Sequence, residues 1–296
     1  MFDIKSFYEA KDVKDAIAAL EREPKAQVIS GGTDVLIRVR EGKDAGCALV
    51  SIHNIKELKG IKLLDDGNLW IGAGTSFSHI TNDPLIQKLI PMLGEAVDMV
   101  GGPQIRNTGT IGGNICNGAT SADSASTMWT LEAIAVLEGP QGERQVPVCE
   151  FYTGPGRTVR ERCEVCKGFI IPKTSFEGWA GQYIKYGKRK AMEIATLGCA
   201  VRVKLSEDKT QIEDVRLGYG VAGPTPLRCR KAEERLKGCR ITDKEAIEAF
   251  GKLALTEVNP RSSWRASKEF RLQLIEELSK RALYQAIRQG GGELDA

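Results

Sequence analysis

Apolar positions fall at helical spacing early in the chain. Val13, Ile17 and Leu20 share one face of residues 7–23, which predicts a helix started by Asp12 and stopped by Pro24. The apolar run 26–30 predicts a strand that enters a glycine turn at Gly31-Gly32. Residues 35–40 read as helix and 47–52 as a further strand, a β-α-β pattern ending near residue 60. Residues 61–64 and 69–72 then read as a hairpin turned by Asp65-Asp66-Gly67-Asn68. Helices are expected over 75–80, 84–90 and 91–100, with Gly101-Gly102-Pro103 breaking the last. Small residues at 122–131 read as helical, 133–138 and 143–148 as paired strands, 151–156 as a loop and 163–171 as a strand stopped by Pro172.

The pattern changes near residue 178. Residues 179–186, 196–205 and 212–220 predict a three-stranded antiparallel sheet, followed by helices over 231–236, 243–257 and 267–288. In the last helix Phe270, Leu274, Leu278 and Leu283 lie near one face. The expected units are 1–60, 61–177 and 178–296, an α+β chain of two smaller parts and a C-terminal domain.

Composition narrows the classes little further. The 296 residues carry 42% hydrophobic and 27% charged positions, ordinary for a globular chain. A net charge of +3 is too small to argue for nucleic acid or a membrane surface as partner. No apolar run approaches the ~20 residues that span a bilayer, and residues 1–5 do not begin a secretion signal, so a cytoplasmic location is expected. Eight cysteines are scattered, and only Cys163 and Cys166 are close. No second pair follows at zinc-ribbon distance, and no four cysteines cluster as an iron–sulfur site needs. His53 and His79 are the two histidines, and neither neighbours a cysteine.

Two stretches carry candidate chemistry. Gln27-Val28-Ile29-Ser30-Gly31-Gly32-Thr33-Asp34 runs from a strand into a glycine pair. Thr108-Gly109-Thr110-Ile111-Gly112-Gly113-Asn114-Ile115-Cys116-Asn117-Gly118 packs small and polar residues with almost no charge. Glycine lets a ligand approach the backbone, and main-chain N–H groups can then face an anion. The plainer reading is two tight loops. Neither stretch has the dinucleotide glycine fingerprint or the P-loop Gly-Lys-Ser/Thr.

Gly31-Gly32-Thr33-Asp34, Thr110-Ile111-Gly112-Gly113-Asn114 and Asp123 together resemble the FAD-binding subunits of the molybdenum hydroxylases. The stretches 102–107, 114–124 and 260–271 are most similar to the separate FAD subunit of bacterial xanthine dehydrogenases. The resemblance covers essentially the whole chain. It implies a two-subdomain FAD-binding fold of the vanillyl-alcohol-oxidase and CO-dehydrogenase-flavoprotein kind, followed by a C-terminal α+β domain. It also implies that residues 27–34 and Thr110, Ile111, Gly112, Gly113 and Asn114 line the FAD diphosphate and adenosine. Asp123, Val100, Val165 and Lys185 align with further flavin-contacting positions. Val100 is aliphatic where some relatives carry an aromatic residue, so it has no ring to stack there.

The same resemblance implies an electron path. A molybdenum-cofactor subunit oxidises a substrate, most readily xanthine or another purine. [2Fe-2S] clusters on an iron–sulfur subunit pass electrons to this chain's FAD, and NAD⁺ is the expected acceptor. A dimer of heterotrimers is the expected assembly. The basic segment 187–194, with Lys188, Arg189 and Lys190, is expected near the dinucleotide approach or a partner. Arg106, Trp264, Arg265 and Arg271 are candidate subunit contacts. No nucleophile or acid–base pair is evident. The alternatives are a hydroxylase for nicotinate, carbon monoxide or an aldehyde, a stand-alone flavoenzyme, or an assembly module without flavin.

Overall fold

The computed structural model describes residues 2–294. The chain begins with three strands, β1 (Ile4–Glu9), β2 (Ala26–Ile29) and β3 (Cys47–Ser51), linked by helices α1 (Val13–Arg22) and α2 (Val35–Arg40). All pairings are parallel and β3 is central, in the order β1-β3-β2. Asp12 caps α1, its carboxylate accepting from Asp15 N. The last three residues of strand β1 fall in the region 7–23 that apolar spacing assigned to helix, and its first three were assigned to no element. Five of its six residues are exposed, and Phe7 is 60% exposed, so no period-2 burial marks it as a strand.

A second, five-stranded antiparallel sheet follows. Its strands are β4 (Ile61–Leu63), β5 (Leu69–Gly72), β6 (Ile134–Gly139), β7 (Gly142–Pro147) and, later, β10 (Val165–Ile171). The order is β4-β5-β10-β6-β7. Between β5 and β6 run six short helices: α3 (Phe77–Asn82), α4 (Pro84–Leu89), α5 (Pro91–Asp98), α6 (Pro103–Thr108), α7 (Ile111–Cys116) and α8 (Asp123–Thr130). The chain between β7 and β10 holds α9 (Val148–Phe151) and a small hairpin, β8 (Tyr152–Gly154) with β9 (Arg157–Thr158), where the sequence suggested only a loop. Helices and sheet share one core, from Leu69 and Ile71 through Leu93, Ile111, Ile115 and Met128 to Phe169.

The last sheet pairs β11 (Trp179–Tyr186), β12 (Leu197–Leu205) and β13 (Ile212–Gly220), all antiparallel as expected. A two-residue strand, β14 (Leu227–Arg228), adds a fourth. Helices α10 (Arg230–Leu236), α11 (Lys244–Ala254) and α12 (Lys268–Gln289) bury one face against it, with Leu274, Ile275, Leu278 and Leu283 in that core. Helix α8 lies between the second and third sheets, packing on β12 and β13 with its small side chains. Gly218 makes that approach possible, since a Cβ there would sit 2.9 Å from the Ser126 carbonyl oxygen.

Charged side chains also hold α8 to the third sheet. Arg202 and Arg216 are buried side by side over the Trp179 ring, 5.1 and 4.3 Å from its centroid. Both guanidinium groups donate to the Thr130 carbonyl, which is left open by the helix end. Arg202 also donates to the Ser175 carbonyl. Arg216 reaches Glu132 at 2.9 Å, and Arg228 reaches the same carboxylate at 3.0 Å. Burial, and then the neighbouring Arg216 charge, push Arg202 down to about 9.

Breaking this clasp takes a donor from the buried Thr130 carbonyl and Ser175 hydroxyl, while the exposed Glu132 keeps Arg228. Arg216→Ala is expected to cost about 2 kcal/mol, the range for buried acceptors that lose a donor. The loss reads as a lower urea midpoint with an unchanged slope.

Candidate functional site

The turn after β2 sits at the carboxyl end of a parallel sheet, where ligands bind in open α/β layers. Gly32 has φ +74°, a left-handed backbone conformation that favours glycine. Gly31 lies directly against the Thr108 carbonyl, and a Cβ there would overlap it. The two glycine-rich stretches therefore meet backbone to backbone. Among the described residues, the N–H groups of Gly31, Gly32 and Thr33 donate to no backbone or side-chain acceptor. Successive free N–H groups at a glycine turn form a cradle for an anion.

These groups open on a cleft of about 690 Å³, inside the range of ligand pockets. Gln27, Val28, Ile29, Ser30, Gly31, Gly32, Thr33 and Asp34 all line it, with Val100, Thr110, Gly112, Gly113, Asn114, Asp123 and Val165. A second hollow of about 760 Å³ runs beside α12 and shares neither glycine stretch.

The second glycine stretch differs from its reading as a source of free donors. It forms α7, capped by Thr110, and its first amides are already used. Ile111 N donates to Thr75 O, Gly112 N to Ala73 O, Gly113 N to Thr110 Oγ1 and Asn114 N to Thr110 O. Gly112 is required for packing, since a Cβ would overlap Ala73. The stretch builds the wall through close approach, and the Gly31–Thr33 turn holds the free amides. Ile111 is fully buried in the core and does not line the cleft.

Asp123 begins α8 and does not cap it; Ala122 occupies the cap position. Asp123 is 6% exposed, and its carboxylate accepts from Lys185 Nζ at 2.8 Å and Tyr183 OH at 2.9 Å. Burial raises the Asp123 carboxyl above its usual range, with the Lys185 ammonium and Tyr183 hydroxyl opposing that rise. Lys185 also donates to Met99 O at 2.8 Å. Lys185 is therefore spent on Asp123 and does not line the cleft, where the resemblance had implied a flavin contact. Asp34, exposed at the mouth, has its carboxyl raised because the surrounding walls remove part of its hydration.

The opposite wall is apolar. Gly101 packs on Ile105, and Gly102 lies against Met192, whose φ is +55°. Phe77, Ile105, Met192 and Ile194 line the cleft. Sequence reasoning did not single out Phe77 and Ile105, which sit in short helices without a periodic signal, and it flagged the 187–194 segment for its cations and not for Met192 and Ile194. In the 187–194 segment Met192, Glu193 and Ile194 face the cleft, and the cations do not line it. Arg189 turns back to Met192 O at 2.6 Å, and Lys188 lies 5.8 Å from the Trp264 ring centroid. Trp264 is 78% exposed and carries Arg265 at 4.3 Å. Arg271 is buried on Thr196 O, Arg261 O and Ser263, and Arg106 bonds Asp98 at 3.0 Å. Those two arginines serve the chain's own packing.

A flavin dinucleotide matches these surroundings on three counts. The free Gly31–Thr33 amides suit a diphosphate, the apolar wall suits a tricyclic ring, and the volume suits a ligand of that class. Among the described residues no cluster of metal-ligating side chains is found.

The buried Asp123–Lys185 pair gives a direct test. Asp123→Asn leaves a buried ammonium with the Met99 carbonyl and a neutral amide as partners, at an expected cost of about 3 kcal/mol. Lys185→Met should cost a similar amount, and the double variant less than the sum. Urea unfolding of all four chains measures the coupling; strict additivity would mean the pair does not act as one unit.

Residues 2–174 match the family model described as the FAD binding domain in molybdopterin dehydrogenase. Residues 182–286 match the CO dehydrogenase flavoprotein C-terminal domain. The chain is 42% identical over 294 residues to the xanthine dehydrogenase FAD-binding subunit of Escherichia coli O157:H7, covering 99% of this chain and 100% of that one. It is 33% identical to the nicotinate dehydrogenase FAD-subunit of Eubacterium barkeri, over 82% of each chain. The solved carbon monoxide dehydrogenase of Hydrogenophaga pseudoflava superposes with a TM-score of 0.92 at 32% identity, covering 98% of this chain and 99% of that one. Together with a two-part cleft built on the Gly31-Gly32 turn, these matches establish that the chain belongs to the FAD-binding subunits of the molybdenum hydroxylases.

Proposed function

We propose that this chain holds FAD in the 690 Å³ cleft and serves as the electron-output subunit of a xanthine or purine dehydrogenase. The observation that carries the reading is that Gly31, Gly32 and Thr33 line that cleft and their amides have no acceptor among the described residues. FAD bound there would supply the exchange between single electrons and a hydride. Gly31, Gly32 and Thr33 would hold the diphosphate, and Gln27–Ser30 with Val165 the adenosine side. Val100, Ile105 and Met192 would exclude water from the ring. Thr110, Gly112, Gly113 and Asn114 shape the wall between the two ends. Asp123, pinned by Lys185, fixes the start of α8 beside the ring.

Electrons would arrive from [2Fe-2S] clusters on an iron–sulfur subunit, drawn in turn from a molybdenum-cofactor subunit. NAD⁺ would take them, in a dimer of heterotrimers. The 42% identity to a xanthine dehydrogenase subunit supports the purine substrate over nicotinate or carbon monoxide. We read residues 1–60, 61–177 and 178–296 as the folding units behind this arrangement.

The purified chain is expected to be yellow, with bands near ~375 and ~450 nm from the positioned flavin, and to release FAD on denaturation. A chain that stays colourless with added FAD, alone and in the co-expressed complex, rejects the reading. Gly31→Val is expected to keep the circular dichroism of the wild type while weakening FAD binding at least tenfold, because its side chain displaces the Thr108–Gly109 backbone. Anaerobic NADH should bleach the flavin band of the complex; a band untouched by NADH removes nicotinamide from the proposal.

A further inference from the structure

Arg38 and Arg160 are the cations that line the cleft. Arg38 is held by Asp44 at 2.6 Å. Arg160 is half-buried and makes no carboxylate contact among the described residues. Glu164, the acid nearest to it in the chain on that wall, is already engaged. Its two carboxylate oxygens accept from Arg144 at 2.6 and 2.8 Å, and one also accepts from the Glu161 N–H. Arg160 instead donates from Nη1 to the carbonyls of Glu161 and Glu164, at 3.1 and 2.8 Å. Its Nε and Nη2 groups have no acceptor among the described residues. A guanidinium carries N–H donors on all three nitrogens in one plane. Here one nitrogen tethers that plane to the wall and two are left unused.

Helix α7 fixes which end of the cleft Arg160 occupies. Before its start, a Cβ on Gly109 would sit 2.9 Å from Phe77 and from the Ile105 carbonyl, both residues of the apolar wall. After its end, Gly118 lies against the backbone of Gly156 and Arg157 and accepts from the Gly156 N–H at 2.9 Å. Six helical residues separate the two contacts, about 9 Å of rise. Gly156, Arg160, Glu164 and Val165 line the cleft from this second segment. The apolar wall and Arg160 therefore stand at opposite ends of α7.

Resting on the FAD reading, we propose that Arg160 binds the adenosine monophosphate half of FAD and makes the cleft select FAD over FMN, which lacks that half. With the flavin ring against the apolar wall, the remote half of the dinucleotide extends toward Arg160. Adenine presents ring nitrogens as acceptors and an aromatic face. A guanidinium donates to the first and stacks on the second. The tether to the two carbonyls holds the fork in place before the ligand arrives, so less freedom is lost on binding. Its charge also lies at the end of the cleft away from the ring.

The test uses the full-length chain stripped of flavin, with FAD, FMN and ADP as probes. Flavin fluorescence gives the first two dissociation constants and calorimetry the third. Arg160→Gln is expected to weaken FAD and ADP alike, by about tenfold or more, as for a lost hydrogen bond from a charged group. FMN binding should not change. Arg160→Lys keeps a cation without the planar fork and should recover part of the loss. Unchanged FAD binding in Arg160→Gln overturns the proposal. Equal weakening of FAD and FMN also overturns it, because the side chain then only braces the 161–164 turn. If circular dichroism shows Arg160→Gln unfolded, the ratio of FAD to FMN affinity in Arg160→Lys decides, and a ratio equal to that of the wild type overturns the proposal. A wild-type chain that binds none of the probes fails at the FAD reading itself. A wild-type chain that binds FAD no better than Arg160→Gln does fails at this residue alone.

Discussion

The contact between Gly31 and the Thr108 carbonyl is the constraint on which the cleft depends. It joins the turn after β2, on a small parallel sheet, to the chain entering α7, on a larger antiparallel one. Neither sheet encloses a ligand by itself. A side chain at residue 31 would part the two backbones and remove the wall between them. The left-handed Gly32 follows at once, inside the same run of amides that have no acceptor. Close approach and anion cradle are therefore one feature of two adjacent residues.

Helix α8 carries this arrangement into the third sheet. Its first residue, Asp123, faces the cleft and binds β11 through Tyr183 and Lys185. Its last carbonyl, on Thr130, receives Arg202 and Arg216 from β12 and β13. An eight-residue helix is thus held at both ends by charged side chains of the C-terminal sheet. Desolvation makes such contacts poor sources of net stability, but removing one partner is costly. That asymmetry favours a single seating of α8. The apolar faces of β12 and β13 could tolerate small shifts; the paired charges cannot, because each displacement leaves a buried group without its partner.

Much of this architecture was legible in the sequence where burial and period agree. The strands of the third sheet alternate or run apolar because helices cover one face and α8 the other, and their limits came within two residues. Asp12 and Ser267 marked helix starts because their side chains do cap. Strand β1 was missed because a parallel partner holds its backbone while its side chains stay exposed, so no pattern is written. The site was legible through its glycines, but their division of labour was not. Gly31 and Gly112 are both close-approach glycines, yet only the first lies among free amides, and that difference arises from Thr75, Ala73 and Thr110 accepting the α7 donors. Lys185 looked like an open cation because its partner lies 62 residues earlier in the chain.

The cleft's electrostatics follow from that division. The free amides of the turn are neutral, and the buried cation Lys185 is already neutralised by Asp123. Arg38 is likewise engaged, with Asp44 at 2.6 Å. Oriented amides stabilise a diphosphate without adding a mobile side-chain charge near a ring that gains and loses electrons. A lysine in the cradle would favour the anionic reduced ring as well as the phosphate, coupling cofactor affinity to redox state. On the proposed seating, separating the two functions would let the diphosphate be held with similar strength in both states, while the apolar wall around Val100, Ile105 and Met192 and the pinned Asp123 would set the surroundings of the ring. A subunit that must release electrons repeatedly without releasing its cofactor is served by that separation.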